Sequence, residues 1–274
     1  MTLAGGLLYQ SAWTETNELA RLSFERNVVE LRDMAASASI QGGLLSLHWI
    51  PQQTDRLRAS LADLMISNND MHVGAALNPS ATALGGLLYV LRSPSLAANW
   101  TLRDNIATIA GYSTATLRGG LVATNLDGRS LLQWLNLGLR GNQLILENGN
   151  AKDLSIEGGG VFFASQRPTR VVRLQIAGFV CSNHRVLVSS LDSAQILGGC
   201  VLADLTGWSD VEVLSSAFEQ VSVVATSLLD ALAIGGALLI RRDSSLVETH
   251  QLRLADSTFS RCTVEFSPAG NSAG

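Results

Sequence analysis

The 274-residue sequence predicts an all-β fold, a single-stranded right-handed parallel β-helix of the pectin-lyase-like type. Three observations predict it. A glycine pair recurs seven times at similar spacing, an apolar motif with asparagine lies about midway between the pairs, and apolar residues far outnumber charged ones. Because the repeats run through the whole chain, we expect residues 1–274 to form a single domain.

The glycine pairs supply the main signal. Successive first glycines are separated by 37, 43, 34, 39, 40 and 37 residues. They are Gly5, Gly42, Gly85, Gly119, Gly158, Gly198 and Gly235. A repeated glycine pair is typical of a corner that requires a positive φ or close stacking of backbones, either of which a β-carbon would penalise.

The second motif reads apolar-x-apolar-x-x-Asn-x-apolar, as in Leu22, Phe24 and Asn27. It lies 17–19 residues before the next glycine pair, so each long repeat is interpreted as two coils of 17–22 residues. The expected tube then has 13–14 coils and is about 65 Å long. Equivalent anchors of the motif are predicted to form one interior column. They are Phe24, Leu102, Leu139, Phe179, Phe218 and Phe259.

Two other structures were weighed. Leu137 to Leu144 resembles the core of a leucine-rich repeat, but the glycine-pair halves lack that consensus and no regular helical segment follows each strand. The apolar segment from Val223 to Ile240 is long enough for a membrane span. Its central Asp230 would cost roughly 2.5–3.5 kcal/mol on insertion, and the segment falls in phase with the repeats. Both observations favour the β-helix.

Composition excludes several classes of protein. Hydrophobic residues make up 47% of the chain and charged residues 15%, so the chain is not disordered. The net charge of -4 excludes a generally basic nucleic-acid binder. Cys181, Cys200 and Cys262 are too few for a disulfide framework and are expected to be small buried apolar residues. No cofactor or metal site is predicted, and the histidines, which lack metal-ligand spacing, are expected in solvated or capping roles. They are His48, His72, His184 and His250.

Together the two motifs resemble the paired GGA[ILV] and FxxN repeats of the chlamydial polymorphic outer-membrane proteins and related microbial surface proteins. Gly235-Gly236-Ala237-Leu238 matches the first motif strictly, and Phe24 to Asn27 matches the second. The resemblance implies an extracellular or cell-surface module for adhesion or spacing, attached to a membrane only through other parts of a parent protein. Both chain ends fall within repeats, so we expect a segment of a longer protein or end-to-end stacking.

A binding surface is predicted from polar turns after the glycine-pair strands. Arginines recur there and would line one edge, where they could bind an anionic glycan or a partner protein. They are Arg92, Arg129, Arg167, Arg170 and Arg241. The alternative is that Asp55, Asp127 and Asp243 neutralise them. Trp208, between Asp204 and Asp210, is a candidate for a sugar groove, although these two carboxylates have no evident partner one coil away.

The sequence therefore favours a non-catalytic surface, adhesion or spacer module whose partner is a glycan or a cell-surface protein. The alternative is a carbohydrate-active enzyme, a polysaccharide lyase or glycoside hydrolase on the same fold. A groove that joins two carboxylates, or a carboxylate and a basic residue, would favour the enzyme.

Overall fold

The computed structural model describes residues 2–4, 6–11, 18–34, 37–48, 60–75, 79–91, 96–126, 131–148, 150–165, 172–205, 209–227, 229–242 and 251–268. Every regular element in these ranges is a β-strand, and every strand pairing is parallel. The all-β parallel β-helix is therefore confirmed.

Each glycine-pair repeat contributes to four sheets, each seven repeats deep. The first sheet contains Thr2–Ala4, Ala38–Gln41, Ser80–Leu84, Thr114–Arg118, Asp153–Glu157, Ser193–Leu197 and Asp230–Ile234. The second sheet contains Leu8–Ser11, Leu45–His48, Leu88–Leu91, Val122–Asn125, Val161–Ser165, Val201–Leu205 and Leu238–Arg242.

The other two sheets follow in chain order within each repeat. The third contains Glu18–Glu25, Ser60–Ser67, Leu96–Arg103, Leu131–Arg140, Val172–Ala177, Ser209–Leu214 and Leu252–Ala255, together with the short strands Val180–Ser182, Ala217–Glu219 and Thr258–Ser260. The fourth contains Val28–Met34, Asp70–Ala75, Ile106–Ala110, Gln143–Glu147, Arg185–Ser189, Ser222–Ser227 and Thr263–Pro268.

One coil is a whole repeat, and the predicted division of each repeat into two coils is wrong. Leu45 pairs with Leu88, and Leu88 pairs with Val122, so each strand stacks on its equivalent one glycine pair later. The two motifs lie at different sheets of the same coil and do not stack on each other. With seven strands in a sheet, the six spacings of about 4.8 Å give an axial length of about 29 Å, not 65 Å.

The glycine pair forms a corner between the first and second sheets, as predicted. Gly42 has a φ of 62°, in the left-handed region that favours glycine. The second glycine of the same pair, Gly43, donates its N–H to the carbonyl of Gly86 at 2.8 Å, and a β-carbon on Gly43 would lie 2.4 Å from that oxygen. The first glycine is thus required by its φ and the second by close backbone stacking.

Two further left-handed positions recur in each coil, and the sequence motifs did not reveal them. One lies within the third sheet and the other just before the fourth sheet. The first set is Arg21, Asp63, Asn99, Asn136, Gly178, Ser215 and Asp256. The second set is Arg26, Asn68, Asp104, Gly141, Asn183, Gln220 and Arg261. Their residue types vary, although asparagine and aspartate, which tolerate this conformation best, recur in both.

The predicted interior column is confirmed in part. Leu102, Leu139 and Phe218 are buried in it, whereas Phe259 is 48% exposed, so its predicted interior position is wrong. Phe179 is wrong in a different way, because it lies outside the aligned row. Strand register aligns Phe24, Ile66, Leu102, Leu139, Cys181, Phe218 and Phe259. Phe179 lies two residues before the column and contacts Phe218 with ring centroids 5.4 Å apart. Phe218 and Phe259 stack at 4.7 Å with an interplanar angle of 3°. Cys181 occupies the position that the sequence motif gave to phenylalanine.

The apolar segment from Val223 to Ile240 does not form a helix. It is covered by the strands Ser222–Ser227, Asp230–Ile234 and Leu238–Arg242. In the ranges that the structure describes, no helix has the length and apolar character needed to cross a membrane.

Candidate functional site

A depression of about 380 Å³ lies on the outer face of the fourth sheet, across its first three strands. Val29, Met71 and Val73 on the same strands point into the core, so the intervening polar side chains face outward. The depression is lined by Glu30, Arg32, His72, Gly74, Ala75, Ala110 and Gly111.

Small residues make this surface concave. A β-carbon on Gly74 would lie 3.5 Å from Nε2 of His72, so a larger side chain there would occupy the space beside the imidazole. Gly111 has a φ of 81°, and a β-carbon on it would lie 2.4 Å from the carbonyl oxygen of Ala75. The two neighbouring coils therefore approach each other closely at Gly111 and Ala75, and no side chain at Gly74 or Gly111 fills the depression.

The polar groups of the depression combine hydrogen-bond acceptors and donors. The Arg32 guanidinium donates to the Glu30 carboxylate on the same strand. His72 is the register partner of Glu30 on the adjacent strand. Within the part of the chain that the structure describes, the His72 side chain makes no hydrogen bond, which leaves the imidazole available to a ligand.

Most of the predicted arginine stripe is not described by the structure. Arg92, Arg129, Arg167, Arg170 and Trp208 lie outside the described residues. The same holds for Asp55, Asp127 and Asp243, the acids proposed to neutralise the stripe. Arg241 is the member of the stripe that can be placed.

Arg241 forms a two-pronged ion pair with Asp204 on the neighbouring coil. Nε and Nη2 of Arg241 donate to the two carboxylate oxygens at 3.0 and 2.6 Å. The hydrogen bond to Asp204 raises the pKa of the Arg241 guanidinium. Arg173 pairs with Asp210 through one contact, in which Nε of Arg173 lies 3.6 Å from a carboxylate oxygen of Asp210 on the neighbouring coil. The expectation that Asp204 and Asp210 have no partner one coil away is therefore wrong, because a coil is a whole repeat of about 40 residues.

We expect the Arg241–Asp204 pair to contribute no more than about 1 kcal/mol to stability, because both side chains reach solvent. A double-mutant cycle of Arg241→Gln and Asp204→Asn, followed by urea unfolding, measures the coupling energy. A coupling above about 2 kcal/mol would show that the pair behaves as a buried one.

An interior asparagine ladder runs beside the phenylalanine column. After Asn27, the side-chain oxygen of each asparagine accepts two N–H groups from the asparagine one coil before it, the backbone N–H and the side-chain amide, at 2.9–3.1 Å. The ladder consists of Asn27, Asn69, Asn105 and Asn142, and the sequence motif had missed Asn69, which follows Ile66. Asn105 and Asn142 are fully buried.

His184 takes the next position of the ladder and is fully buried, so the expectation of a solvated or capping role is wrong for this histidine. Burial lowers the pKa of His184 to about 4, although the backbones of Gly159 and Gly199 favour its charged form. Neither imidazole nitrogen makes a hydrogen bond of good geometry to the described residues. The backbone and side-chain N–H groups of Asn142 therefore lack the asparagine oxygen that accepts the equivalent N–H groups of Asn27, Asn69 and Asn105.

We expect His184 to make the fold sensitive to acid. Its folded pKa lies below the ordinary value of 6.5, so the unfolded chain binds more protons as the pH falls. The contribution to stability is complete above about pH 6.5 and decreases toward pH 4, by about 3 kcal/mol in total.

Replacing His184 by asparagine should extend the ladder and remove this loss, which urea unfolding at pH 7 and pH 4.5 would measure. Asn99→Gly, which changes an exposed amide, preserves a φ of 57° and retains His184, is the control and should keep the pH dependence of the wild-type chain. The same pH dependence in His184→Asn and the wild-type chain would contradict the assignment.

Cys181 and Cys200 form a disulfide, which was not predicted from the sequence. Both are buried, as predicted, and they lie 19 residues apart, half a coil across the interior. Cys262 is a free thiol and is exposed, so its predicted burial is wrong. The disulfide joins the phenylalanine column to the corner formed by Gly198 and Gly199.

Among the described residues, no cluster of three or more histidine, cysteine or acidic side chains is arranged to hold a metal ion. No protein-family model, curated protein or solved structure matches this chain. The architecture alone therefore defines the class of protein, a parallel β-solenoid with four sheets and one glycine-pair corner in each coil.

Proposed function

We propose that the chain is a non-catalytic surface module, a rigid β-helical scaffold that serves in adhesion or as a spacer. One observation carries the proposal: polar side chains on the outer face are used in ladders that join one coil to the next. Side chains that bond to the next coil in this way hold the scaffold together. A catalytic side chain must instead be free to contact the substrate.

The third sheet carries one of these outer ladders. Gln133 donates to Gln175 at 2.9 Å, and Gln175 donates to Glu212 at 3.0 Å. Arg253 lies 3.9 Å from Glu212 and continues the row. A second outer row joins Asp63, Asn99 and Asn136. These rows support the use of the surface as a rigid framework.

Two observations support an extracellular or cell-surface location. A disulfide such as Cys181–Cys200 persists in oxidising compartments and is rare in the reducing cytosol. The glycine-pair and FxxN motifs are also similar to those of the chlamydial polymorphic outer-membrane proteins, which are surface proteins. On this proposal the partner is a glycan or a protein on another cell.

A carbohydrate-active enzyme is the second candidate, and the depression on the fourth sheet favours it, because Glu30 lies there beside a basic residue. Glycoside hydrolases generally use two carboxyl groups about 5–9.5 Å apart. The described lining of the depression contains one, which already accepts a hydrogen bond from Arg32. We therefore rank binding above turnover.

The test compares adhesion with turnover. We expect beads coated with the chain to be retained on cells or on immobilised glycans, while the soluble chain releases no product from neutral or acidic polysaccharides. Beads coated with a Gly199→Ala variant, which should not fold, are the control. Product formation that is abolished by Glu30→Gln would replace the proposed function by the enzyme, and retention no better than the control would exclude adhesion.

A further inference from the structure

The depression on the fourth sheet is suited to one particular ligand chemistry. Its volume of about 380 Å³ is at the lower end of the range for small-molecule sites, about 300–1,000 Å³, and fits a single sugar ring. Gly74, Ala75, Ala110 and Gly111 leave space for a flat ring to approach the sheet. A carboxylate, a guanidinium and an imidazole stand beside this space.

These groups match the vicinal hydroxyls of a neutral sugar. A hydroxyl both donates and accepts, so the Glu30 carboxylate can accept from one hydroxyl while Arg32 donates to its neighbour. Nε2 of His72 lies above Gly74 and can contact a third oxygen. An anionic ligand fits less well, because Glu30 already neutralises Arg32 and would repel a second negative charge.

We propose that this depression binds a neutral pyranose unit of a glycan, held by Glu30, Arg32 and His72 over the surface around Gly74. The inference rests on the proposed function, because it names the ligand class of a binding module. Sugar units of this size bind single shallow sites weakly, and we expect a Kd of about 1 mM for a methyl hexoside.

The experiment titrates the whole chain with methyl glycosides of glucose, galactose and mannose, and separately with galacturonate and inorganic phosphate, by ligand-observed NMR. Gly74→Val should weaken binding of the preferred neutral glycoside at least about 10-fold by filling the depression. A β-carbon at Gly74 meets ordinary contacts of 3.5 Å or more, so this variant should fold. Glu30→Gln should weaken binding to a similar extent.

Glu265→Gln is the matched control, because Glu265 occupies the same row of the fourth sheet as Glu30, at its opposite end. It should bind the glycoside like the wild-type chain. Absence of neutral-sugar binding, binding unchanged by Gly74→Val, or preference for galacturonate or phosphate would each overturn the inference. Beads that still adhere to cells in those cases would leave the proposed function standing, whereas hydrolysis of the glycoside would remove it.

Discussion

Gly199→Ala is expected to prevent the chain from reaching its folded state, with a loss of more than about 5 kcal/mol. The new β-carbon would lie 1.9 Å from the carbonyl oxygen of Gly236 and 2.6 Å from Cγ2 of Val223. Real β-carbons do not approach backbone atoms so closely, so one of the two coils would have to move.

That movement is opposed on both sides of the corner. Gly199 donates its N–H to the carbonyl of Gly235 at 3.1 Å, and the strands that flank the two glycine pairs are held in register along their length. Separating the coils at Gly199 would therefore break several neighbouring hydrogen bonds as well. Buried backbone groups that lose their partners cost about 1–3 kcal/mol each.

Circular dichroism and urea unfolding measure the effect. Gly138→Ala is the control, because a β-carbon there meets its nearest neighbour, the carbonyl oxygen of Trp100, at 3.7 Å. This control should change stability by less than about 1 kcal/mol. A Gly199→Ala chain as stable as Gly138→Ala would show that the glycine pairs do not stack directly on one another.

The role of the glycine pair was predictable because few other physical reasons place two glycines at so regular a spacing. The coil length was not. Both halves of the repeat carry an apolar anchor of similar spacing, and nothing in the residues shows that the halves lie on different sheets. The number of coils and the tube length were wrong for that reason.

The same error hid the ion pairs, whereas the disulfide was missed for a different reason. Three cysteines indicated no disulfide framework, although stacked coils of about 20 residues would also have brought Cys181 and Cys200, 19 residues apart, within reach of each other. In the coil of about 40 residues they meet across the interior instead. Asp204 and Arg241 are 37 residues apart, so they become neighbours only when the whole repeat is one coil.

The depression on the fourth sheet left a weaker signal in the sequence. Glu30 and His72 lie one coil apart and belong to no recurring motif. The sequence does contain two neighbouring small residues at equivalent positions of two successive repeats, Gly74-Ala75 and Ala110-Gly111. This signal becomes visible only after the strand register is known, because the polar groups and the small residues come from three strands.

Asn105→Ala is expected to destabilise the fold by about 2–6 kcal/mol, a loss comparable with that expected for Gly199→Ala. Oδ1 of Asn105 accepts the backbone N–H of Asn69 at 3.0 Å and its side-chain amide at 2.9 Å. Nδ2 of Asn105 donates to the carbonyl of Ile66 and to Oδ1 of Asn142, both at 2.9 Å. Alanine removes all four bonds at a fully buried position.

The cost arises from the groups that remain. Two N–H groups of Asn69 and the carbonyl of Ile66 would face an apolar interior without these partners, and a side chain as small as alanine leaves no polar atom to replace them.

Asn99→Gly is the matched control. Asn99 belongs to the exposed ladder with Asp63 and Asn136, and glycine preserves its φ of 57°. Urea unfolding of both variants should show a loss of no more than about 1 kcal/mol for Asn99→Gly, because water replaces the lost bonds there. Equal losses in the two variants would mean that the interior ladder contributes no more to stability than the exposed one.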